Sequence, residues 1–150
     1  MISKYEHFSL SVSRIYHDIQ RIERTEMEAF GMKGPHAQTL LAMQRYPEGI
    51  TAVQLCEICD KDKAAVSRSV AELEEAGMVS RKSANGSNYR ACLILTEKGQ
   101  EAARAVGEKA RLAVEQAGIG LEDEERQVFY RVLAMISENL HTICREGIKK

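Results

Sequence analysis

The sequence of 150 residues has almost no net charge and no long apolar run. Its 21 Lys and Arg residues balance 22 Asp and Glu residues, which gives a formal charge of −1. The sequence pI is about 6.4, and this balance excludes a uniformly basic protein that coats nucleic acid regardless of sequence. The absence of a membrane-spanning apolar run and of an N-terminal signal peptide predicts a cytoplasmic protein with no membrane partner. The length suits one compact domain, or one protomer of an intertwined dimer.

Motifs for catalysis and metal binding are also missing. The chain has no glycine-rich phosphate loop, no nucleophile elbow and no pair of carboxylates at a recognisable spacing. We therefore expect no enzymatic activity and no cofactor. The acidic clusters Glu72–Glu75 and Glu122–Glu125 are interpreted as solvated faces or as charges that complement a helix end. The four histidines lie in separate segments, which argues against a metal site.

The four cysteines include one closely spaced pair. Cys56 and Cys59 have the Cys-x-x-Cys spacing of thiol oxidoreductases and of half a zinc site. They fall at helical positions that a fold would fill with apolar residues, and no second pair follows at zinc spacing. Structural packing is the favoured interpretation. A thiol-based redox switch that uses Cys56 and Cys59 is the alternative.

The chain does contain a run of local structural signals between Thr51 and Gly99. Thr51 and Gln54 predict a capping box at the start of a short helix. Asp62 predicts the N-cap of a second helix, and Gly77 predicts its end. The apolar stripe of this second helix consists of Val66, Val70 and Leu73. Two short helices joined by a tight turn form a helix-turn-helix.

The second helix leaves small and polar side chains outside its apolar stripe. Small residues permit close approach to a groove floor, and Ser67 can exchange hydrogen bonds with a base edge. Arg68 can bind guanine through two hydrogen bonds or hold a phosphate. The candidate DNA contacts in this region are Thr51, Lys61, Lys63, Ala64, Ala65, Ser67 and Arg68.

A two-stranded hairpin is predicted next. Segments 78–82 and 89–95 read as strands around Asn85 and Gly86, a dipeptide of tight β-turns. No acidic residue occurs from Ala76 to Thr96, so the hairpin is basic and suits phosphate and minor-groove contact. Its candidate DNA contacts are Arg81, Lys82, Asn85, Ser87, Asn88 and Arg90. This order of elements predicts a mainly α (α+β) fold, a winged helix-turn-helix with a two-stranded wing.

Long helices are predicted on both sides of this unit. A seam of apolar residues runs along the first helix at Phe8, Val12, Ile15, Ile19 and Ile22. A further stripe runs along the last helix at Phe129, Val132, Leu133, Ile136, Leu140 and Ile143. These helices carry more apolar surface than one winged helix needs, which predicts dimerisation. We expect one protomer over 1–150, with a DNA-binding region at 35–99 and a helical dimerisation region at 5–30 and 100–146.

Four segments of the sequence together resemble the MarR-type (multiple antibiotic resistance regulator) transcription factors. They are PEGIT at 47–51, LCEIC at 55–59, KAAVSRSVAELEEAGMV at 63–79 and YRACLILTEKG at 89–99. The sequence departs from the family at the wing base, where Ser87 and Tyr89 replace a common Asp-x-Arg pair and Arg90 follows one position later. Lys61 occupies a turn position that is commonly apolar.

The resemblance implies a homodimer that binds double-stranded DNA, with an affinity that a small ligand or an oxidant changes. It implies a ligand pocket where the first helix, the second helix and the helix after the wing meet, with Tyr16, His17 and His36 as candidate lining residues. We expect a repressor that acts on a pseudo-palindromic operator. The alternatives are the redox-sensing regulator described above, and a DNA-binding or protein-interaction module without a sensor role.

Overall fold

The computed structural model describes residues 3–83 and 91–148. The elements in chain order are α1 (Lys4–Glu28), α2 (His36–Gln44), α3 (Ala52–Cys59), α4 (Lys63–Glu75), β1 (Val79–Lys82), β2 (Cys92–Leu95), α5 (Glu97–Ala117) and α6 (Asp123–Glu146). The chain divides into two compact units, at 1–112 and 113–150, and α5 crosses their boundary. A mainly helical fold with a small sheet is therefore confirmed.

The helix-turn-helix forms where the capping residues predict it. The Thr51 hydroxyl accepts a hydrogen bond from the Gln54 backbone N–H at 3.2 Å, and the Gln54 side chain accepts one from the Thr51 N–H at 2.9 Å. Asp62 caps α4 by accepting from the Ala65 N–H at 2.7 Å. Between the two helices, Asp60 adopts the left-handed conformation with φ of 49°. Asp tolerates this region better than most residues, so the chain reverses within three residues.

The small sheet is antiparallel and includes a contact outside the hairpin. Val79 pairs with Leu95, and Lys82 pairs with Cys92. A further bridge joins Ile50, just before α3, to Leu93, with N···O distances of 3.0 and 2.8 Å. This bridge ties the chain entering the helix-turn-helix to the second strand of the wing. The predicted turn at Asn85 and Gly86 lies outside the described residues.

The core of the first unit lies between α2, α3, α4 and the sheet. The predicted stripe of α4 is buried, as are Leu40 and Met43 of α2 and Leu55 of α3. The end of α1 adds Met27, and the start of α5 adds Ala102, Ala103 and Val106. Loss of one of the larger side chains to Ala would cost about 2–5 kcal/mol. The core therefore holds α4 by one face and leaves the other face free.

The LTEKG segment joins the C-terminus of α4 to the start of α5. The Thr96 hydroxyl donates to the Gly77 carbonyl oxygen at 2.6 Å and accepts from the Gly99 N–H at 3.2 Å. The Lys98 ammonium donates to the Ala76 carbonyl oxygen at 2.8 Å. A Cβ at Gly99 would collide with the Met78 carbonyl oxygen, so the close approach of the two chains requires glycine there.

Both terminal helices expose their apolar residues. In α1 only Glu23 and Met27 are buried. In the predicted seam Phe8, Val12, Ile15 and Ile19 are exposed, and Ile22 is half-buried. In the second unit, α6 begins with a capping box between Glu122 and Glu125 and has no buried residue. None of the helices in the described part of the chain is long and apolar enough to cross a membrane.

Candidate nucleic-acid interface

The exposed face of α4 carries the candidate residues of the sequence analysis. Lys63, Ala64, Ser67 and Arg68 are exposed, and Ala65 is half-buried. Within residues 3–83 and 91–148, no hydrogen bond or ion pair engages the side chains of Lys63, Ser67 or Arg68. The Asp62 carboxylate caps the start of α4 and offsets part of the positive helix end, so the positive charge of this face comes from Lys63 and Arg68. This end of the helix is therefore a cationic surface with small residues between the charges.

Two flanking candidates have contacts within the protein. The Lys61 ammonium lies 3.4 Å from the Pro35 carbonyl oxygen, so it links the turn of the helix-turn-helix to the start of α2. Thr51 is engaged in the capping box of α3, where its hydroxyl also donates to the Gln54 side-chain Oε1 at 3.1 Å. Both side chains have a structural role, whether or not they also contact DNA.

The hairpin candidates divide into two groups. Arg81 forms a two-point ion pair with Glu74 near the end of α4, with distances of 2.8 Å from Nε and 3.1 Å from Nη2. Lys82 is exposed at the end of β1. Asn85, Ser87, Asn88 and Arg90 lie outside the described residues, as does Tyr89. How the wing tip meets DNA therefore remains a prediction from the sequence.

The acidic residues of α4 lie at its C-terminal half, away from the cationic end. Two of them are paired, Glu74 with Arg81 and Glu72 with Lys33 and His36. Partial desolvation opposes ionisation of Glu72, but the charge of Lys33 and the hydrogen bond from His36 outweigh it and lower the pKa of Glu72. The sequence analysis interpreted this cluster as a solvated face. Instead, Glu72 and Glu74 fasten α4 to its neighbours.

Of the three candidate pocket residues, Tyr16 and His17 meet edge to face with ring centroids 6.0 Å apart, whereas the contacts of His36 lie elsewhere. Tyr16 and His17 are exposed on α1 and bond within that helix, Tyr16 with Gln20 and His17 with the Ser13 carbonyl oxygen. His36 is buried and contacts Lys33 and Glu72. A separate cavity of about 270 Å³ is lined by Met43, Gln44, Pro47, Leu95, Gln100 and Arg104. The pocket residues remain a prediction.

The paired cysteines sit at the end of α3, half-buried. Burial raises the pKa of the Cys59 thiol, although the charges of Lys61 and Arg45 act in the opposite direction. The Cys59 Sγ lies 3.9 Å from the Gln38 carbonyl oxygen. A raised pKa reduces the thiolate fraction at neutral pH, and the thiolate is the reactive form. The raised pKa of Cys59 therefore argues against the redox alternative, even though Lys61 and Arg45 lie nearby.

A buried carboxylate that the sequence analysis missed lies close by. Glu23 of α1 is buried and accepts a hydrogen bond from the Gln38 side chain of α2. Burial raises the pKa of Glu23, while Gln38 and the charge of Lys61 act against that rise. The apolar seam of α1 gave no signal for this residue, because its partner lies fifteen residues away in the next helix.

Comparison with known proteins agrees with this geometry. Residues 30–87 match the model of the MarR family. The uncharacterized HTH-type transcriptional regulator YdgJ of Bacillus subtilis (strain 168) is 28% identical over 104 residues, which cover 69% of this chain and 63% of that protein. The match thus spans less than two thirds of that relative.

Solved structures share the fold over nearly the whole chain. A putative MarR family transcriptional regulator from Listeria monocytogenes, solved in complex with 26mer DNA, has a TM-score of 0.82 at 20% identity and covers 100% of this chain and 99% of its own. A MarR protein from Peptoclostridium difficile has a TM-score of 0.83 at 22% identity, with coverage of 95% and 94%. Together, these comparisons show that the chain has a winged-helix fold and that its segment 30–87 is similar to the MarR family.

Proposed function

We propose that this protein is a transcriptional regulator that binds a pseudo-palindromic operator as a homodimer and represses transcription by excluding RNA polymerase. The observation that carries the proposal is the exposed cationic end of α4, where Lys63 and Arg68 have no partner among the described residues. The relative named as a transcriptional regulator and the related Listeria structure that holds DNA support this choice of partner. The proposed activity is binding alone, without a catalytic step.

In this proposal α4 enters the major groove. The small side chains of Ala64 and Ala65 let the helix approach the groove closely. Ser67 and Arg68 then contact base edges, and Lys63 contacts the phosphate backbone. The hairpin contacts the flanking minor groove through Lys82 and the predicted tip residues. The segment 35–99 thus forms the reading region. Thr51, Lys61 and Arg81 are secondary contacts in this proposal, since each is already engaged within the protein.

The homodimer is proposed from the exposed apolar residues of the terminal helices. Phe8 and Ile15 of α1 are exposed, and so are Phe129 and Leu133 of α6. Exposed apolar rows of this length mark interaction surfaces in soluble proteins. We assign 5–30 and 100–146 to the dimer. Two copies of α4 would then read half-sites about 34 Å apart, one turn of DNA.

We also propose that the protein acts in the cytoplasm. A small effector then alters the spacing of the two reading helices. Tyr16, His17 and His36 remain the candidate contacts, and the class of effector is open. A thermal-shift screen of small molecules followed by operator release would test this part. Compounds that raise the melting temperature without changing DNA affinity would contradict it.

Selection of bound genomic fragments, followed by footprinting, tests DNA reading. We expect a protected pseudo-palindrome with half-sites one helical turn apart. Arg68→Ala should weaken specific binding by roughly tenfold to a hundredfold, since a good base contact contributes about 1–3 kcal/mol. Arg90→Ala tests the wing in the same assay. Arg104→Ala on α5, another exposed arginine, is the control for lost charge. If Arg68→Ala and Arg90→Ala leave affinity and its salt dependence unchanged, this surface does not read DNA.

Light scattering tests the dimer. The protomer has a mass of 16.8 kDa, so the proposed state has twice that mass. Leu133→Asp places a charge in the apolar row of α6 and should shift the mass toward that of one protomer. Glu138→Gln, on the same helix, is the control for altered charge. A wild-type protein with the mass of one chain at micromolar concentration would overturn the homodimer.

A further inference from the structure

Two polar contacts join α2 to α4. His36 Nε2 lies 2.7 Å from Glu72 Oε2, and the hydroxyls of Thr39 and Ser69 lie 3.1 Å apart. His36 and Thr39 are three residues apart in α2, and Ser69 and Glu72 are three residues apart in α4. Both contacts therefore fall on one face of each helix. We call these two contacts the α2–α4 clasp.

Three of the four clasp residues are buried in an otherwise apolar core, and the side chain of the fourth, Glu72, is 42% exposed. His36 is 3% exposed, Thr39 2% and Ser69 8%. Apolar side chains would pack at these positions without demanding a fixed direction, whereas hydrogen bonds weaken steeply when their geometry changes. Buried polar contacts that are fully satisfied favour one arrangement of the elements they join. The clasp therefore restricts rotation and sliding of α4 against α2.

The histidine of the clasp is itself fixed in orientation. Its Nδ1 lies 3.1 Å from both the backbone nitrogen and the carbonyl oxygen of Lys33, so the ring has a partner on each side. The Lys33 ammonium lies 3.5 Å from Glu72 Oε1, and His36 holds the other oxygen. Both oxygens of the Glu72 carboxylate are thus engaged from the segment that begins α2.

The clasp residues of α4 directly follow the residues proposed to read DNA. Ser69 directly follows Arg68, and Glu72 lies one turn further. Successive side chains on a helix point about 100° apart, so a rotation that breaks the Thr39–Ser69 contact also moves the Arg68 side chain. Binding groups lose function when they are misplaced by about 0.5–1 Å.

We propose that His36, Thr39, Ser69 and Glu72 are positioning residues that fix the rotational setting of α4 and thereby set its sequence discrimination, without touching DNA. The proposal rests on the proposed function, because it concerns how the same reading helix is held. It assigns to His36 a role in DNA selectivity distinct from the ligand contact expected from the sequence.

The test is selection from a random-sequence duplex library, which requires no known operator. The double variant Thr39→Val with Ser69→Ala removes one contact and replaces both hydroxyls by apolar groups, a change that is often near neutral for stability. Glu72→Ala removes the other contact. Discrimination is the ratio of the dissociation constant for a scrambled duplex to that for the selected duplex, and the melting temperature is measured alongside.

The triple variant combines Thr39→Val, Ser69→Ala and Glu72→Ala. We expect it to lose roughly tenfold or more in discrimination, comparable to the loss of one base contact. Its affinity for the scrambled duplex and the salt slope should match those of the Glu75→Ala control, which loses the same charge, because Lys63 and Arg68 remain. Compared with Glu72→Ala, the variant Glu72→Gln keeps an acceptor for His36 and should restore the discrimination that Glu72→Ala loses. Glu75→Ala removes an exposed charge from the same helix and is the matched control.

Three outcomes would overturn the proposal. Discrimination equal to the wild-type value means that the clasp only packs the core. Specific and scrambled affinities that fall together with the melting temperature mean that its role is stability alone. A wild-type protein that enriches no motif refutes sequence-specific reading itself, and the inference falls with it.

Discussion

The Thr96 hydroxyl donates a 2.6 Å hydrogen bond to the carbonyl oxygen of Gly77. Gly77 ends α4 with φ of 73°, and Thr96 directly precedes α5. One hydroxyl therefore links the end of the proposed reading helix to the start of the helix after the wing. Thr96→Val should remove this link and the cap on Gly99, at a cost of about 1–2 kcal/mol in free energy of unfolding. Urea titration measures it, and Thr96→Ser should restore most of the loss.

Two glycines of α5 should respond in opposite ways to replacement by alanine. Gly99→Ala forces a Cβ into the Met78 carbonyl oxygen and should lower the free energy of unfolding by about 1–3 kcal/mol or more. At Gly107 the nearest atom to an added Cβ is Leu41 Cδ2 at 3.4 Å, an ordinary contact. Gly107→Ala should therefore stabilise the protein by about 0.5–1 kcal/mol. Equal effects from the two variants in the same titration would contradict this account.

Glu23 should make stability depend on pH in a direction opposite to that of an ordinary paired carboxylate. Burial raises its pKa above the usual value of 4.5, so the folded state binds the proton more tightly than the unfolded state does. The resulting stability is present below pH 4.5 and is lost as pH rises through the folded-state pKa. The wild type should therefore lose stability relative to Glu23→Gln as the pH rises above 4.5. A difference that is constant with pH would show that Glu23 titrates normally.

Glu74 should restrain the contribution of Arg81 to DNA binding. Glu74→Gln breaks the two-point pair and releases the guanidinium, so affinity for a scrambled duplex at low salt should rise a few-fold. Glu75→Gln changes the net charge equally without breaking that pair. Fluorescence anisotropy compares the two variants. The same rise in both would mean that net charge alone matters, and that Arg81 gains nothing from its release.

The cysteines should differ in reactivity toward iodoacetamide at neutral pH. Cys144 is exposed, whereas burial raises the pKa of Cys59 and lowers its thiolate fraction. Mass spectrometry over time should show alkylation of Cys144 first, and the two rates should converge in denaturant. Faster labelling of Cys59 in the folded protein would restore the redox alternative.

The local features of the fold could be predicted from the sequence because their causes are local. The caps at Thr51 and Asp62 and the stop at Gly77 each depend on residues within about one turn. The bridge between Ile50 and Leu93 depends on residues far apart in the chain, and no local pattern encodes it. The positions of the helices could therefore be predicted from the sequence, whereas the Ile50–Leu93 bridge could not.

The candidate site shows the same division. The exposed face of α4 follows from helical periodicity, since the stripe that includes Val66 must be buried and Ser67 and Arg68 then point away from it. The contact of His36 with Glu72 joins residues in different helices, and neither residue type reveals its partner. His36 was expected in a ligand pocket because the family resemblance implies a pocket near the start of α2, and the resemblance does not reveal its contact with Glu72.

Because no residue of α6 is buried, the stability of the proposed dimer should depend on the protein concentration in the cell. A 24-residue helix without buried side chains gains little stability from its own chain, so on the proposed dimer the second copy supplies it. Folding and association are then one equilibrium, governed by mass action. The melting temperature should rise with protein concentration, and newly made chains at low copy number would spend longer open to proteases than chains made in abundance.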